Sequence, residues 1–328
     1  MSGKRLVAVS YPADEDYATV NRAVLADDAE VVFLRDLPEA DRLGVLTKAE
    51  VLIGWNLQRE LPDAALLAAP GLRFIQLLSA GADGVDFAAI RPQVRLAGNV
   101  GAYAEPMAEH VLAMTLALAK RLPQRHAALA RGEWRQSEPL LTLRGAVCGI
   151  LGFGGIGRAT ARLMRPFGAR IHAITSSGTT SEDVEFCGPL ADLDVVLAAA
   201  DVLVVSLPLT KSTRGLIGAR ELGLMKPAAI VVNVARGAII DEQALYSHLV
   251  ARPDFGAGLD AWWHEPRGGA PFRTGYPFFD LPNVIGSPHN SGIVPGVLLS
   301  AAGKAAENAL RYLRGEPVTG VMNRDDYL

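Results

Sequence analysis

The 328-residue chain is poor in cysteine. Cys148 and Cys187 are the only two and lie in different segments, so neither a disulfide framework nor a thiolate metal site is suggested. A reducing cytoplasm is the expected compartment. Metal-ligand spacing is missing too, since the six histidines are scattered and no pair stands beside a carboxylate cluster. No metal is expected. Lysine and arginine number 32 against 35 acidic residues, and no basic run interrupts the chain. The electrostatic footprint of a nucleic-acid binder is therefore absent, and the expected partner is a small molecule. Met1 to Ser10 lack the charged-then-apolar plan of a secretory signal. Met107 to Ala119, the most apolar helical stretch, is broken by Glu109 and His110. Neither export nor a membrane span is expected.

What is present is length and apolar content enough for two cores: half of the residues are hydrophobic, and a single core usually stops growing at about 250–300 residues. Short β-rich runs alternate with helical patterns, which predicts parallel sheets built from βαβ units. The first set comprises Arg5–Val9, Glu30–Leu34, Val51–Trp55, Arg73–Leu78 and Val94–Leu96. A helix from Glu105 to Arg121 follows, apolar on nearly every face, the pattern of a helix buried on all sides and able to join domains or form a subunit contact. A second set of strands is predicted over Ala146–Leu151, Arg170–Ile174, Val202–Leu207, Ala228–Val234, Gly256–Leu259 and Asn283–Gly286. One amphipathic helix, about Val297 to Leu313, and a tail remain; too short for a domain, they must pack onto another part.

The stretch "CGILGFGGIGRATARLM" is the strongest local signal. A strand ending at Leu151 meets Gly152, Gly154 and Gly157 and then a helix. The first glycine allows a tight turn, the second lets the backbone approach a pyrophosphate, and the third packs helix against strand, with the helix N-terminus aimed at the anion. Arg158 stands where it could assist. In such units an acidic residue about 20 positions on binds the adenosine ribose, but here the place reads "ITSSGTT", and no carboxylate appears before Glu182. The hydroxyls of Thr175, Ser176 and Ser177 could donate to a 2′-phosphate. This leans toward NADP over NAD, weakly, because Thr175 to Ser181 contain no arginine.

Three chemically able side chains follow strands of the second set: Arg236 after "AIVVNVA", Glu265 in "AGLDAWWHEP" and His289 at the end of "NVIGSPH". Ligands of open α/β sheets bind outside the carboxyl ends of the strands, so these groups can converge. The chemistry that uses such a set is hydride transfer to a 2-keto acid. A guanidinium holds the substrate carboxylate with two parallel bonds. An imidazolium supplies the proton that the incipient alkoxide needs, and a carboxylate against the other ring nitrogen orients and charges the ring.

On these residues the chain closely resembles the D-isomer-specific 2-hydroxyacid dehydrogenase family over nearly its whole length. "GILGFGGIGR", "SLPLTKSTRGLIG", "LMKPAAIVVNVARGAIIDEQAL", "GAGLDAWWHEP", "SPHNSG", "LLSAGADGVD" and "GNVGAYAEPMAEHVL" carry the resemblance. It implies two Rossmann-like α/β domains. A dinucleotide-binding domain over residues 102–291 is inserted into a discontinuous, flavodoxin-like substrate-binding domain formed by residues 1–101 and 292–328. It further implies that Arg236, Glu265 and His289 are catalytic. Gly152, Phe153, Gly154, Gly155, Ile156, Gly157, Arg158, Thr175, Ser176, Pro208 and Thr213 would line the cofactor, while Asp260 would orient the nicotinamide carboxamide. Ser79, Ala80 and Gly81 would help hold the substrate carboxylate. A homodimer formed through the nucleotide domain is implied, with Glu105 to Arg121 at the contact and Trp134 at the position from which some members reach the partner's active site. Thr175 stands where many members carry aspartate, "AWWHE" is bulkier than the usual run, and Asn290 is an uncommon neighbour for the histidine. The small "SAGAD", with no lysine or arginine, argues against a phosphorylated substrate, and Glu265, where the formate dehydrogenase branch has glutamine, argues against formate. The expected reaction is reduction of glyoxylate, hydroxypyruvate or a phenyl- or alkyl-pyruvate. The alternative is a catalytically silent, nicotinamide-sensing interaction protein on the same fold.

Overall fold

The computed structural model describes residues 4–61, 69–266 and 269–328. The chain divides into two compact units, Met1–Tyr103 with Val294–Leu328 and Ala104–Ile293. All strand pairing within each sheet is parallel. Parallel strands are covered on both faces, which is why they read as near-continuous runs of Val, Ile and Leu.

In the first unit β1 (Arg5–Val9), β2 (Ala29–Phe33), β3 (Val51–Gly54), β4 (Phe74–Leu77) and β5 (Arg95–Ala97) are ordered β2-β1-β3-β4-β5. The helix Val297–Arg314 returns to this sheet. Its buried stripe of Ala302, Ala305, Ala306, Ala309 and Leu313 shares a core with Val7, Val9, Val51, Ile53 and Phe74. Small residues at these helical spacings let the helix lie close to the strands. Two buried amides lock the return: Asn308 Nδ2 donates to Gln76 Oε1 at 2.6 Å, and Asn99 Nδ2 donates to the Ala301 carbonyl at 2.8 Å. An unpaired buried amide costs about 1–3 kcal/mol, so these pairings specify where the C-terminal segment docks.

The second unit holds β6 (Val147–Leu151), β7 (Arg170–Ile174), β8 (Phe186–Gly188), β9 (Val202–Val205), β10 (Ile230–Asn233), β11 (Gly256–Leu259) and β12 (Val284–Gly286), ordered β12-β11-β10-β9-β6-β7-β8. The edge strand β8 was not expected from the sequence. The helix Ala104–Ala119 packs Val111, Met114 and Leu118 into a core with Ile230, Val232 and Val234. It is not buried on all sides, as its composition suggested: Glu105, Glu109 and Ala113 are exposed, and Met107, Leu112 and Leu116 are only half-buried. Among the described residues no helix is long and apolar enough to cross a membrane.

Candidate active site

The turn after β6 is built around Gly152. Its φ of +91° is open to glycine, and a Cβ there would lie 2.8 Å from the Leu207 nitrogen. A Cβ on Gly157 would collide with the Gly152 carbonyl, so helix and turn are in direct contact. The helix Gly155–Met164 then begins with Gly154 as its N-cap, with no side-chain cap and no acidic residue in its first turn. Its first N–H groups, those of Gly155, Ile156 and Gly157 included, have no acceptor within the helix and sum to a partial positive charge. The space that a Cβ on Gly154 would enter is open. A glycine-shaped opening before an uncapped helix fits the diphosphate of a dinucleotide.

The other expected cofactor residues differ in what they can offer. Phe153 turns its ring into the core, which leaves only its backbone to a ligand. Arg158 is exposed, and its Nε donates to the Phe153 carbonyl at 3.3 Å. Thr213 is buried, with its hydroxyl donating to the Pro208 carbonyl at 2.6 Å and accepting from the Thr210 N–H at 2.8 Å. Thr213 therefore shapes the loop after β9. Beyond β7, the hydroxyls of Thr175 and Ser177 each donate to the Thr179 carbonyl at 3.3 Å, and Ser176 is exposed.

Arg236, Glu265 and His289 lie on the loops after β10, β11 and β12, three neighbouring strands. Buried Asn233 closes the first loop: its Nδ2 donates to the Arg236 carbonyl at 2.9 Å and its Oδ1 accepts the Ala235 N–H at 3.0 Å. The half-buried Arg236 donates from Nη1 to the Ala235 carbonyl at 2.8 Å. His289 Nδ1 is 2.7 Å from Glu265 Oε1, an ion pair whenever the ring is charged, and this leaves Nε2 to a ligand. Burial pushes the Glu265 carboxyl up. The His289 contact, the Trp262 N–H and the Arg236 charge outweigh burial and hold it below its ordinary value of 4.5. One carboxylate thus responds to both other members of the set.

His289 has φ of +52°, the left-handed region that non-glycine residues rarely occupy. Asp260, which has no exposed surface, braces this conformation. Its Oδ1 accepts the Ser287 hydroxyl at 2.6 Å and the Asn290 N–H at 3.1 Å, and its Oδ2 accepts the Ser291 N–H at 3.1 Å. His110 Nε2 lies 2.9 Å from the same Ser287 hydroxyl. Burial raises the Asp260 carboxyl, but the hydrogen bonds from Ser287 and Ser291 and the His110 charge bring it below its ordinary value. Ser287 and His110 escaped the sequence reading, although Ser287 stands two places before His289 at the carboxyl end of a strand.

In the first unit Ser79, Ala80 and Gly81 follow β4. The Ser79 hydroxyl donates to the Gly81 carbonyl at 2.9 Å, and the Asn99 N–H donates to the Ser79 carbonyl at 2.8 Å. Trp134 is 77% exposed, and its Nε1 donates to Gln136 Oε1 at 3.2 Å.

Residues 112–291 match the sequence profile of the D-isomer specific 2-hydroxyacid dehydrogenase NAD binding domain. Glyoxylate reductase of Thermococcus litoralis is 32% identical over 88% of this chain and 89% of its own. Glyoxylate/hydroxypyruvate reductase B of Pectobacterium carotovorum subsp. carotovorum is 33% identical over 92% of this chain and 94% of its own. A D-isomer specific 2-hydroxyacid dehydrogenase of Xanthobacter autotrophicus Py2, solved in complex with NADPH and MES, superposes with a TM-score of 0.79 at 27% identity, covering 98% of each chain. With its two all-parallel α/β sheets, its uncapped glycine turn and its Arg-Glu-His set, the chain belongs to the D-isomer specific 2-hydroxyacid dehydrogenase family and is an NAD(P)-dependent oxidoreductase.

Proposed function

We propose that the protein reduces a small, unphosphorylated 2-keto acid of the glyoxylate or hydroxypyruvate type to the D-2-hydroxy acid, with Arg236, Glu265 and His289 as its catalytic set. The observation that carries this is the 2.7 Å Glu265–His289 contact, on loops neighbouring that of Arg236 and within reach of its charge. The nicotinamide cofactor, when bound, supplies the hydride. The Arg236 fork binds the substrate carboxylate through paired, charge-assisted hydrogen bonds. His289 Nε2 delivers a proton to the keto oxygen as negative charge develops there, and the ionised Glu265 keeps the ring oriented with that nitrogen outward. The backbone of Ser79, Ala80 and Gly81 is assigned to the substrate carboxylate as well. Asp260 braces the loop that carries His289. Its three bonds leave one acceptor position on the carboxylate, which would take the amide N–H of a nicotinamide carboxamide.

The substrate class is supported by the absence of lysine and arginine from "SAGADG" and by the names of the relatives. NADPH is the favoured cofactor, on the missing carboxylate at Thr175 and the NADPH-bound neighbour. A homodimer is supported by the apolar helix Ala104–Ala119, left half-buried, and by exposed Leu122, Leu129, Trp134, Leu140 and Leu141 nearby in sequence. The two free thiols, Cys148 and Cys187, suit a reducing cytoplasm.

The test is loss of reduced-nicotinamide absorbance with NADPH and NADH in parallel, against glyoxylate, hydroxypyruvate, pyruvate and phenylpyruvate, with sedimentation of the same preparation. Turnover of a keto acid, faster with NADPH, by a particle twice the chain mass is the expected result. Cofactor binding without any turnover would overturn the reading in favour of a sensing role.

A further inference from the structure

Three side chains on three separate loops must hold their spacing to a fraction of an ångström, because a displacement of about 1 Å can cost a hundredfold in rate. The segment between β11 and Glu265 contains adjacent tryptophans whose indole N–H groups reach in different directions. Trp262 Nε1 donates to the Ser287 carbonyl at 2.8 Å, two residues before His289. Trp263 Nε1 donates to the Ile240 carbonyl at 2.6 Å, four residues after Arg236. The Trp262 backbone N–H donates to Glu265 Oε1 at 3.2 Å, so the same pair of residues also touches the third member of the set. Gly237, next to Arg236, is in direct contact with this segment: a Cβ there would collide with the Trp262 carbonyl and the Trp263 nitrogen.

Both indoles are themselves held. Trp263 stacks on Phe278, with centroids 5.3 Å apart and planes at 14°, while Trp262 meets Phe272 edge-on at 5.1 Å. Trp262 is 6% exposed. A buried indole needs an acceptor for its N–H. Here the two acceptors belong to the two loops that flank the glutamate, one on each side in the order of strands.

We propose that Trp262 and Trp263 are positioning residues that act on different members of the set. Trp262 sets the place of His289 through the Ser287 carbonyl, and Trp263 sets the place of Arg236 through the Ile240 carbonyl. The proposal rests on the assignment of Arg236, Glu265 and His289 as the catalytic set. Its consequence is a split in kinetic effects. Loss of the Trp262 tie displaces the proton donor, which acts in the transition state. Loss of the Trp263 tie displaces the carboxylate clamp, which acts on bound substrate as well.

The test compares W262F and W263F, which keep an aromatic ring and delete the N–H, in the full-length protein with the keto acid it turns over fastest. W262F is expected to lower kcat about tenfold, with KM for the keto acid within about twofold, and to move the pH at which turnover falls off. W263F is expected to raise that KM about tenfold with kcat nearly unchanged. Cofactor dissociation constants stay the same in both. Amide exchange should rise at residues 287–291 in W262F alone and at residues 237–240 in W263F alone. Should either phenylalanine variant fail to fold, 3-benzothienylalanine at that position preserves the bicyclic shape, lacks the N–H and gives the same readouts. Equal losses of kcat and kcat/KM in both variants, or unchanged exchange in both loops, would overturn the proposal. H289A separates the two levels: if it keeps turnover, the catalytic assignment itself is wrong. If it is inactive and the tryptophan variants do not split, only the positioning role is lost.

Discussion

Replacing Asp260 by alanine should destabilise the second unit even with no cofactor present. The side chain accepts three hydrogen bonds, from Ser287 Oγ and from the N–H groups of Asn290 and Ser291. Each bond to a charged group contributes about 1.5–3 kcal/mol, while removing a buried carboxylate relieves a desolvation penalty of several kcal/mol, so the net loss is about 3 kcal/mol. For a domain of this size that lowers the melting temperature by roughly 6–12 °C. The sign with pH follows from the depressed Asp260 carboxyl. The stability it adds is fully present above the ordinary value of 3.8, and it disappears as pH falls through the lower folded value. Calorimetry of cofactor-free wild type and Asp260→Ala across that range, with amide exchange at Ser291, reads the effect. A melting point unchanged at neutral pH, together with an equally protected Ser291 amide, would refute the claim that this carboxylate braces the His289 loop.

Glu265→Gln removes the charge that orients the ring through His289 Nδ1 and should lower kcat for the keto acid by at least about tenfold with KM nearly unchanged; an unchanged kcat would count against the pairing. Wild-type enzyme should show no titration of Glu265 near neutrality, since its carboxyl lies below 4.5. Arg236→Lys keeps the charge but loses the fork, and KM for the keto acid should rise about tenfold to a hundredfold, with cofactor binding unchanged by fluorescence titration. Gly152→Val forces a β-branched residue into φ of +91° against the Leu207 nitrogen. Dinucleotide affinity should fall about fivefold to 150-fold, for a backbone strain of about 1–3 kcal/mol, and an unaltered dissociation constant would show that the turn does not bear on the cofactor.

The two sheets were legible because parallel strands covered on both faces leave unmistakable apolar runs, and Arg5–Val9, Arg170–Ile174 and Gly256–Leu259 were read to the residue. The edge strand Phe186–Gly188 was missed, since three residues including a cysteine and a glycine carry too short a pattern. The helix Ala104–Ala119 misled because composition cannot tell a helix enclosed by its own chain from one with a half-covered side. The residue types of the candidate site were visible in the sequence, but the bonds that arrange them were not. Nothing in the spacing of Asp260, Ser287 and His110 announces a shared hydrogen-bond network, and nothing in a run of two tryptophans says which carbonyls their N–H groups will find. The inward turn of Phe153 depends equally on tertiary packing.

The order of strands in the second sheet also acts as a ruler. From β6, which carries the glycine turn, to β11, which carries the glutamate, there are three steps, across β9 and β10. At about 4.8 Å per step this fixes a span of roughly 14 Å between the two ends of the site. The loops can vary in length and sequence without altering it, because the measure is kept by backbone hydrogen bonds in the ladder. Adding or removing one strand would miss by a whole step, far outside the tolerance of about 1 Å that close-range chemistry allows. Descendants of this chain are thus free to change what they grip at either end, but they inherit the distance.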